Sequence, residues 1–368
     1  MSVFGTRPEA IKMSVLIQKM EADAEIQSVV CVTAQHREML DQVLRPFSIR
    51  PDYDLNLMKP GQSLSDITAR VLQGLDPILF REKPDLVLVH GDTASSVSAA
   101  LAAFYHQIPV GHVEAGLRTY SRYSPFPEEM NRQIISRIAT LHFSPTAINQ
   151  SNLKKENITR NVYVTGNTAI DVVKSIFRPD YQFQNSRLRQ IRFGSGQKNI
   201  TVTAHRRENI GEPLRNICLA VKEIARSHPD VRIIWPVHPN PSVHETVCSA
   251  LTGIPNICLT DPLGVFDMHN LIGRSYFVMT DSGGLQEEAP SLGKPVLVLR
   301  TETERPEAVE AGTAMLAGVR TQDIVRAASQ LLDDPSFYRR MANAVNPFGD
   351  GHAAERIIRI IKDYFQDR

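Results

Sequence analysis

The chain has 368 residues, 42% of them hydrophobic, and its 41 basic and 40 acidic side chains leave a formal charge of +1. That balance lacks the basic face of a nucleic-acid binder and the polybasic patch of a membrane-surface protein, and no apolar run approaches the roughly 20 residues that span a bilayer. Four cysteines without CxxC spacing (Cys31, Cys218, Cys248 and Cys258) read as free thiols, and no basic segment leads into an apolar one at the start, so a cytoplasmic protein is expected.

Short apolar runs alternate with longer amphipathic segments, the pattern of parallel α/β folds. In the first half the runs predict strands at 3–4, 28–33, 86–90, 110–113, 141–144 and 162–164, with helices at 9–21, 37–47, 64–81, 95–106 and 127–138. A second series predicts strands at 200–203, 231–236, 257–260, 276–280 and 296–299, and helices at 211–227, 242–251, 266–273 and 284–292. Two Rossmann-like domains are therefore expected, 1–167 and 168–351. After the breaker-rich NPFGDG, an amphipathic helix within 352–368 is expected to return to the first domain.

Several strand-to-helix turns carry chemistry. FGTRPEAIK places Gly5, Arg7 and Lys12 where unpaired N–H groups and two cations would suit a diphosphate, although an ordinary turn would look the same. In VLVHGDTASS, Asp92 follows a strand, as an acid/base group or as a helix cap. Glu114 in VGHVEAGLRT directly follows another apolar strand, where a carboxylate needs a partner or a task. Glu128 and Glu129 open a helix, a position that the dipole alone favours for acids. TAHRREN and PVHPNP bring His205, Arg206 and His238 to further strand ends, in spacings that form no metal-binding pair. TDSGGLQEE offers Ser282, Gly283 and Gly284 as a phosphate cradle, with Glu288 one turn on. It is neither a dinucleotide fingerprint nor a P-loop.

In this order the blocks FGTRPEAIKM, TAQHREMLDQVL, VLVHGDTASS, GHVEAGLRT, SPFPEEMNR, VTGNTAID, TAHRREN, PVHPNP, TDSGGLQEEAPSLGKPVLVLR, TERPEAVEAGT and NPFGDG resemble the bacterial non-hydrolysing UDP-N-acetylglucosamine 2-epimerases over nearly the whole chain. The resemblance implies a glycosyltransferase-B arrangement with an interdomain cleft, a homodimer, and interconversion of UDP-GlcNAc and UDP-ManNAc for surface-polysaccharide synthesis. It implies Asp92, Glu114 and Glu128 as acid/base carboxylates, with His205 serving the leaving diphosphate. Arg7, Lys12, Ser282, Gly283 and Gly284 would hold the diphosphate, Glu288 the ribose, and Arg305 would lie beside the nucleotide. Gln35, Gln62, Arg206 and His238 match positions implicated in binding a second, activating UDP-GlcNAc. Neither metal nor cofactor is implied.

Two positions depart from the family pattern: Phe126 stands where many relatives carry tryptophan, and Met268 where an aromatic often lines the uracil pocket. The competing readings are a hydrolysing 2-epimerase that releases ManNAc and UDP, a glycosyltransferase, and a nucleotide-sugar sensor without catalysis.

Overall fold

The computed structural model describes residues 1–34, 37–57, 59, 61–194 and 196–366. It divides into two compact units, Met1–Val172 together with Phe348–Arg368, and Val173–Pro347. No helix among the described residues is long and apolar enough to cross a membrane. All four cysteines are free; Cys31 and Cys218 are buried.

The first unit is built on a parallel sheet of β1 (Ser2–Phe4), β2 (Val30–Val32), β3 (Tyr53–Asp54), β4 (Val87–His90), β5 (Val110–Val113), β6 (Leu141–Ser144) and β7 (Val162–Val164). Their spatial order is β3-β2-β1-β4-β5-β6-β7, and Val3 pairs with Cys31 on one side and Val89 on the other. Helices cover both faces of such a sheet, which is why the interior strands β1, β2, β4, β5 and β6 are buried throughout rather than on alternate residues. On one face Val71, Leu75 and Leu79 of helix Leu64–Glu82 join Ala99, Ala100 and Ala103 of helix Ala94–Tyr105 in packing with Val3, Val87, Val89 and Val110. Ser63 starts the longer of these helices through a capping box with Asp66, satisfying donors that the helix itself cannot.

The last helix, Ala353–Gln366, is tied to this unit at both ends. Asp171 accepts hydrogen bonds from the Ala353 and Ala354 N–H groups at 3.1 and 2.8 Å. Lys19 pairs with Glu355 at 2.9 Å, and Lys362 with Asp23 and Glu25 at 2.7 and 2.6 Å.

The second unit carries β8 (Lys198–Thr203), β9 (Val231–Pro236), β10 (Ile257–Thr260), β11 (Phe277–Thr280), β12 (Val296–Val298) and β13 (Ala314–Leu316) in the parallel order β10-β9-β8-β11-β12-β13. Trp235 lies fully buried in its core, with Ile217, Val221 and Ile224 of helix Glu212–Ser227 and Ile324, Ala328 and Leu331 of helix Thr321–Asp333.

Beyond the elements expected from the sequence, the structure adds β3, β13 and the helices Ala147–Lys155, Thr168–Ile176, Ser186–Arg189, Pro306–Glu310, Thr321–Asp333 and Pro335–Ala342. The single helix expected over 284–292 is instead an α-helix at Gly283–Glu288 followed by a 3-10 turn at Ala289–Leu292. Pro290 has no N–H to continue the α-helical ladder. Each sheet reverses its strand order once, between β1 and β4 and between β8 and β11. In open α/β sheets those reversals open a crevice beyond the carboxyl ends of the strands, the usual place for a ligand.

Candidate functional site

At the first reversal the loops after β1 and β4 are fastened together by Glu9. Its buried carboxylate accepts from the N–H groups of Gly5 and Thr6 at 3.0 and 2.7 Å through Oε2. Through Oε1 it accepts from the hydroxyls of Thr93 and Ser96 at 2.6 and 2.7 Å. Thr6 and Glu9 form the capping box of helix Arg7–Glu21. The T-x-x-E spacing in the sequence carried this signal, which the sequence reading did not use.

That clasp fastens the loop that carries Asp92, and Glu114 follows the neighbouring strand β5. Arg132 donates to Asp92 Oδ2 through Nε at 2.8 Å, and its Nη2 lies 2.7 Å from the same oxygen. Glu114 follows β5 in a left-handed conformation with φ of 68°, a strained backbone for a glutamate. Its Oε2 forms an ion pair with Lys12, accepts from Asn167 Nδ2 at 3.4 Å and lies 3.7 Å from Nε2 of the buried His90. Burial, reinforced by the charge of Glu114, raises the Asp92 carboxyl above its ordinary value, and Arg132 and Lys12 oppose the rise. Two carboxylates, each shadowed by a cation, thus stand at the ends of the adjacent strands β4 and β5, an arrangement suited to acid/base chemistry.

Glu128 and Glu129 part company despite being neighbours. Glu129 is fully buried and accepts from the Thr119 N–H at 2.9 Å, the Tyr120 N–H at 3.3 Å and Gln133 Nε2 at 3.0 Å. Burial works to raise its pKa, but these bonds bring it below the ordinary value, so it is a structural carboxylate. Glu128 is half-exposed at the first position of helix Glu128–Ile138. Asn131 and Arg132, one turn on, bond to Asp92 at 2.8 Å each, so this helix start abuts the β4 loop. Arg7, half-exposed, opens helix Arg7–Glu21.

Three histidines lie under this crevice on adjacent strands: His90, His112 and His142. Burial lowers their pKa values to about 4, 3 and 4 respectively, so all three are neutral. His112 Nε2 donates to the Gly91 carbonyl at 2.7 Å, bracing the residue before Asp92.

At the second reversal, the loop after β8 carries His205 and Arg206 and the loop after β11 carries Ser282, Gly283 and Gly284. A Cβ placed on Gly283 would lie 3.8 Å from Arg206 Nη2 and 3.9 Å from Arg305 Cζ. Two guanidinium groups therefore flank a glycine at a helix start, where an anion gains from both cations and from the unpaired N–H groups. Arg305 is also paired with the buried Glu287. Ser282 caps helix Gly283–Glu288 without using its hydroxyl for the cap. Glu288 lies 3.1 Å from His269 Nε2 and close to Gly284. His205 stacks on His238, with ring centroids 5.0 Å apart and planes 5° from parallel.

Of the residues expected to serve a second ligand, Arg206 and His238 gather beside His205 in this unit. Gln62 lies in the first, where its Oε1 accepts from the Lys59 N–H at 3.2 Å. Gln35 lies outside the described residues. Met268 is half-buried on helix Val265–Gly273, next to His269. Phe126 is 62% exposed. Glu9, Asn167 and Asp281 join the site without having been among the expected residues, and Asp281 anchors the His205 loop.

A family model described as UDP-N-acetylglucosamine 2-epimerase matches residues 18–362. The UDP-N-acetylglucosamine 2-epimerase of Bacillus subtilis (strain 168) is 53% identical, over 97% of this chain and 93% of its own. The enzyme of that name from Escherichia coli (strain K12) is 50% identical, over 99% and 98%. Among solved structures, the UDP-GlcNAc 2-epimerase from Neisseria meningitidis bound to UDP-GlcNAc is 46% identical, with a TM-score of 0.85 over 98% of this chain and 99% of its own. The two parallel α/β domains expected from the sequence are the fold of these relatives.

Proposed function

The chain belongs to the UDP-N-acetylglucosamine 2-epimerase family, and on that premise we propose that it interconverts UDP-GlcNAc and UDP-ManNAc without net hydrolysis. The C2 proton of the sugar is not acidic, because no carbonyl adjoins it. Breaking the bond from C1 to the diphosphate gives C1 oxocarbenium character, which acidifies C2–H. A carboxylate then removes that proton, leaving a glycal and bound UDP. Protonation of C2 on the opposite face and return of UDP to C1 complete the inversion. The scheme needs acid/base groups for both faces and a cationic hold on the diphosphate.

The observation that carries this reading is the placement of Asp92 after β4 and Glu114 after the adjacent β5, the one paired with Arg132 and the other with Lys12. In the proposal Asp92, Glu114 and Glu128 transfer the protons. Lys12 pairs with Glu114 and, with Arg7, attracts the diphosphate. Ser282, Gly283 and Gly284 cradle it under Arg305, His205 assists its departure, and Glu288 binds the ribose. A second UDP-GlcNAc acting at Arg206 and His238, with Gln35 and Gln62, and a homodimeric state are further parts of the proposal that rest on the family resemblance.

Proton NMR of UDP-GlcNAc with the protein in D2O tests the reaction. UDP-ManNAc carrying deuterium at C2, with no growing pool of free sugar, is the expected result. Accumulating ManNAc and UDP would replace it with a hydrolysing epimerase, and an unchanged spectrum would remove epimerisation altogether.

A further inference from the structure

Behind His205 lies a carboxylate that the mechanism above does not use. Asp281 follows β11 with its side chain wholly buried. Its Oδ2 accepts from the N–H groups of His205 and Arg206 at 2.8 Å each, and from Asn209 Nδ2 at 3.0 Å. Asn209 donates in turn to the Leu299 carbonyl at 3.0 Å, so the loop is pinned to the end of β12. Asp281 Oδ1, by contrast, accepts no hydrogen bond among the described residues and faces His205 Nδ1 at 3.6 Å. A buried carboxylate oxygen without a donor is costly, and a small rotation of the half-exposed imidazole would supply one. Catalytic hydrogen bonds are commonly this long before a ligand tightens them.

We propose that Asp281 is a positioning residue for His205, holding the imidazole as its Nδ1–H tautomer and stabilising the imidazolium when it forms. Nε2, on the far side of the ring from Asp281, is then the atom that exchanges a proton with the diphosphate. When the C1–O bond breaks, the imidazolium gives its Nε2 proton to the departing oxygen and becomes neutral, keeping Nδ1–H toward Asp281. On return the proton passes back to Nε2. The groups facing His205 are Asp281 from the end of β11, His238 from the loop after β9, and Arg206 next to it in the chain. Burial lowers the His205 pKa, and His238 and Arg206 lower it further; Asp281 is the group that pulls the other way. The carboxylate therefore makes the charged ring accessible in a site otherwise hostile to it.

This inference rests on the reading of His205 as the group that serves the leaving diphosphate, and the test separates the two. Long-range proton–nitrogen correlation on the 15N-labelled full chain, with His205 assigned by comparison with His205→Asn, reads the tautomer directly. The Nδ1–H form is expected, and Asp281→Asn should lower the ring's titration midpoint by about one unit or more. Asp281→Asn keeps an oxygen for the two backbone donors. It should cut kcat about tenfold or more while KM for UDP-GlcNAc changes less than about threefold. On the His205→Asn background the same change should cost less than about twofold. An Nε2–H tautomer in the wild type would overturn the proposal, as would equal losses of kcat in the two backgrounds. If Asp281→Asn does not fold, the wild-type tautomer decides. If the wild type does not epimerise UDP-GlcNAc, the functional reading fails, while the tautomer still answers for Asp281.

Discussion

Replacing Glu9 by alanine should weaken the first unit far more than replacing it by glutamine, for reasons that can be counted. The carboxylate accepts four hydrogen bonds, two from backbone N–H groups and two from hydroxyls. In Glu9→Ala the hydroxyls have other acceptors: Thr93 Oγ1 lies 3.2 Å from Ser96 Oγ, which already reaches the His90 carbonyl at 2.6 Å. The Gly5 and Thr6 N–H groups have no such recourse in their buried setting. Two stranded donors at about 1–3 kcal/mol each give a loss of about 4 kcal/mol. Glu9→Gln keeps an oxygen for both donors and presents its NH2 to hydroxyls that can turn to accept, so the loss falls to about 1–2 kcal/mol. Urea unfolding followed by far-UV circular dichroism measures both. The chain's single tryptophan, Trp235, lies in the second unit, so its fluorescence serves as an internal control that should move little. A loss below about 1 kcal/mol for alanine, or equal losses for the two variants, would refute the clasp.

Acid should destabilise the protein well above the carboxylate range. As pH falls below the unfolded histidine value near 6.5, the unfolded chain binds protons that folded His90, His112 and His142 refuse until about pH 4, 3 and 4. Stability is therefore present above about pH 6.5 and drains by up to about 1.4 kcal/mol per pH unit for each histidine; urea midpoints at pH 7.5 and 5.5 would show it, and equal midpoints would contradict it. Gly116→Ala should cost about 3–5 kcal/mol, because φ there is 91° and the new Cβ would meet the Asn149 carbonyl oxygen at 2.2 Å; a melting temperature close to the wild type would count against that packing. Glu114→Gln and Asp92→Asn should retain UDP binding and lose on the order of 10²-fold or more in turnover, and unchanged rates would strike them from the proton-transfer groups. Calorimetry should find UDP binding weakened in Arg7→Ala; unaltered affinity would remove Arg7 from the diphosphate site.

Strands buried on both faces were legible to the residue. The runs at 110–113, 141–144 and 231–236 have the bounds the structure gives them, because an apolar run between breakers leaves few alternatives. The edges were not. β3 is two residues long and half polar, and β13 is three, so neither has a pattern to detect. Helix Thr321–Asp333 was readable, since Ile324, Ala327, Ala328, Leu331 and Leu332 recur at helical spacing. The site divides in the same way. Asp92 and Glu114 stood out because a carboxylate at a strand end is conspicuous. Glu9, Glu129 and Asp281 have obligations set by partners elsewhere in the fold, and Glu129 looks from its sequence like its neighbour Glu128. Only the folded chain separates the carboxylate that braces a loop from the one left at the crevice.

The return of helix Ala353–Gln366 to the first unit fixes an order of events during synthesis. The second unit is one continuous stretch, Val173–Pro347, and is complete once that stretch has been made. The first unit lacks the helix that answers Asp171, Lys19 and Asp23 until Ala353–Gln366 has also been made. The half of the chain that is translated first is thus the half that is finished last, and a stop codon before Phe348 would harm the domain furthest from it in sequence. Hydrogen exchange on such a truncated chain should find protection lost across the first sheet and kept around Trp235; the opposite pattern would dissolve the argument.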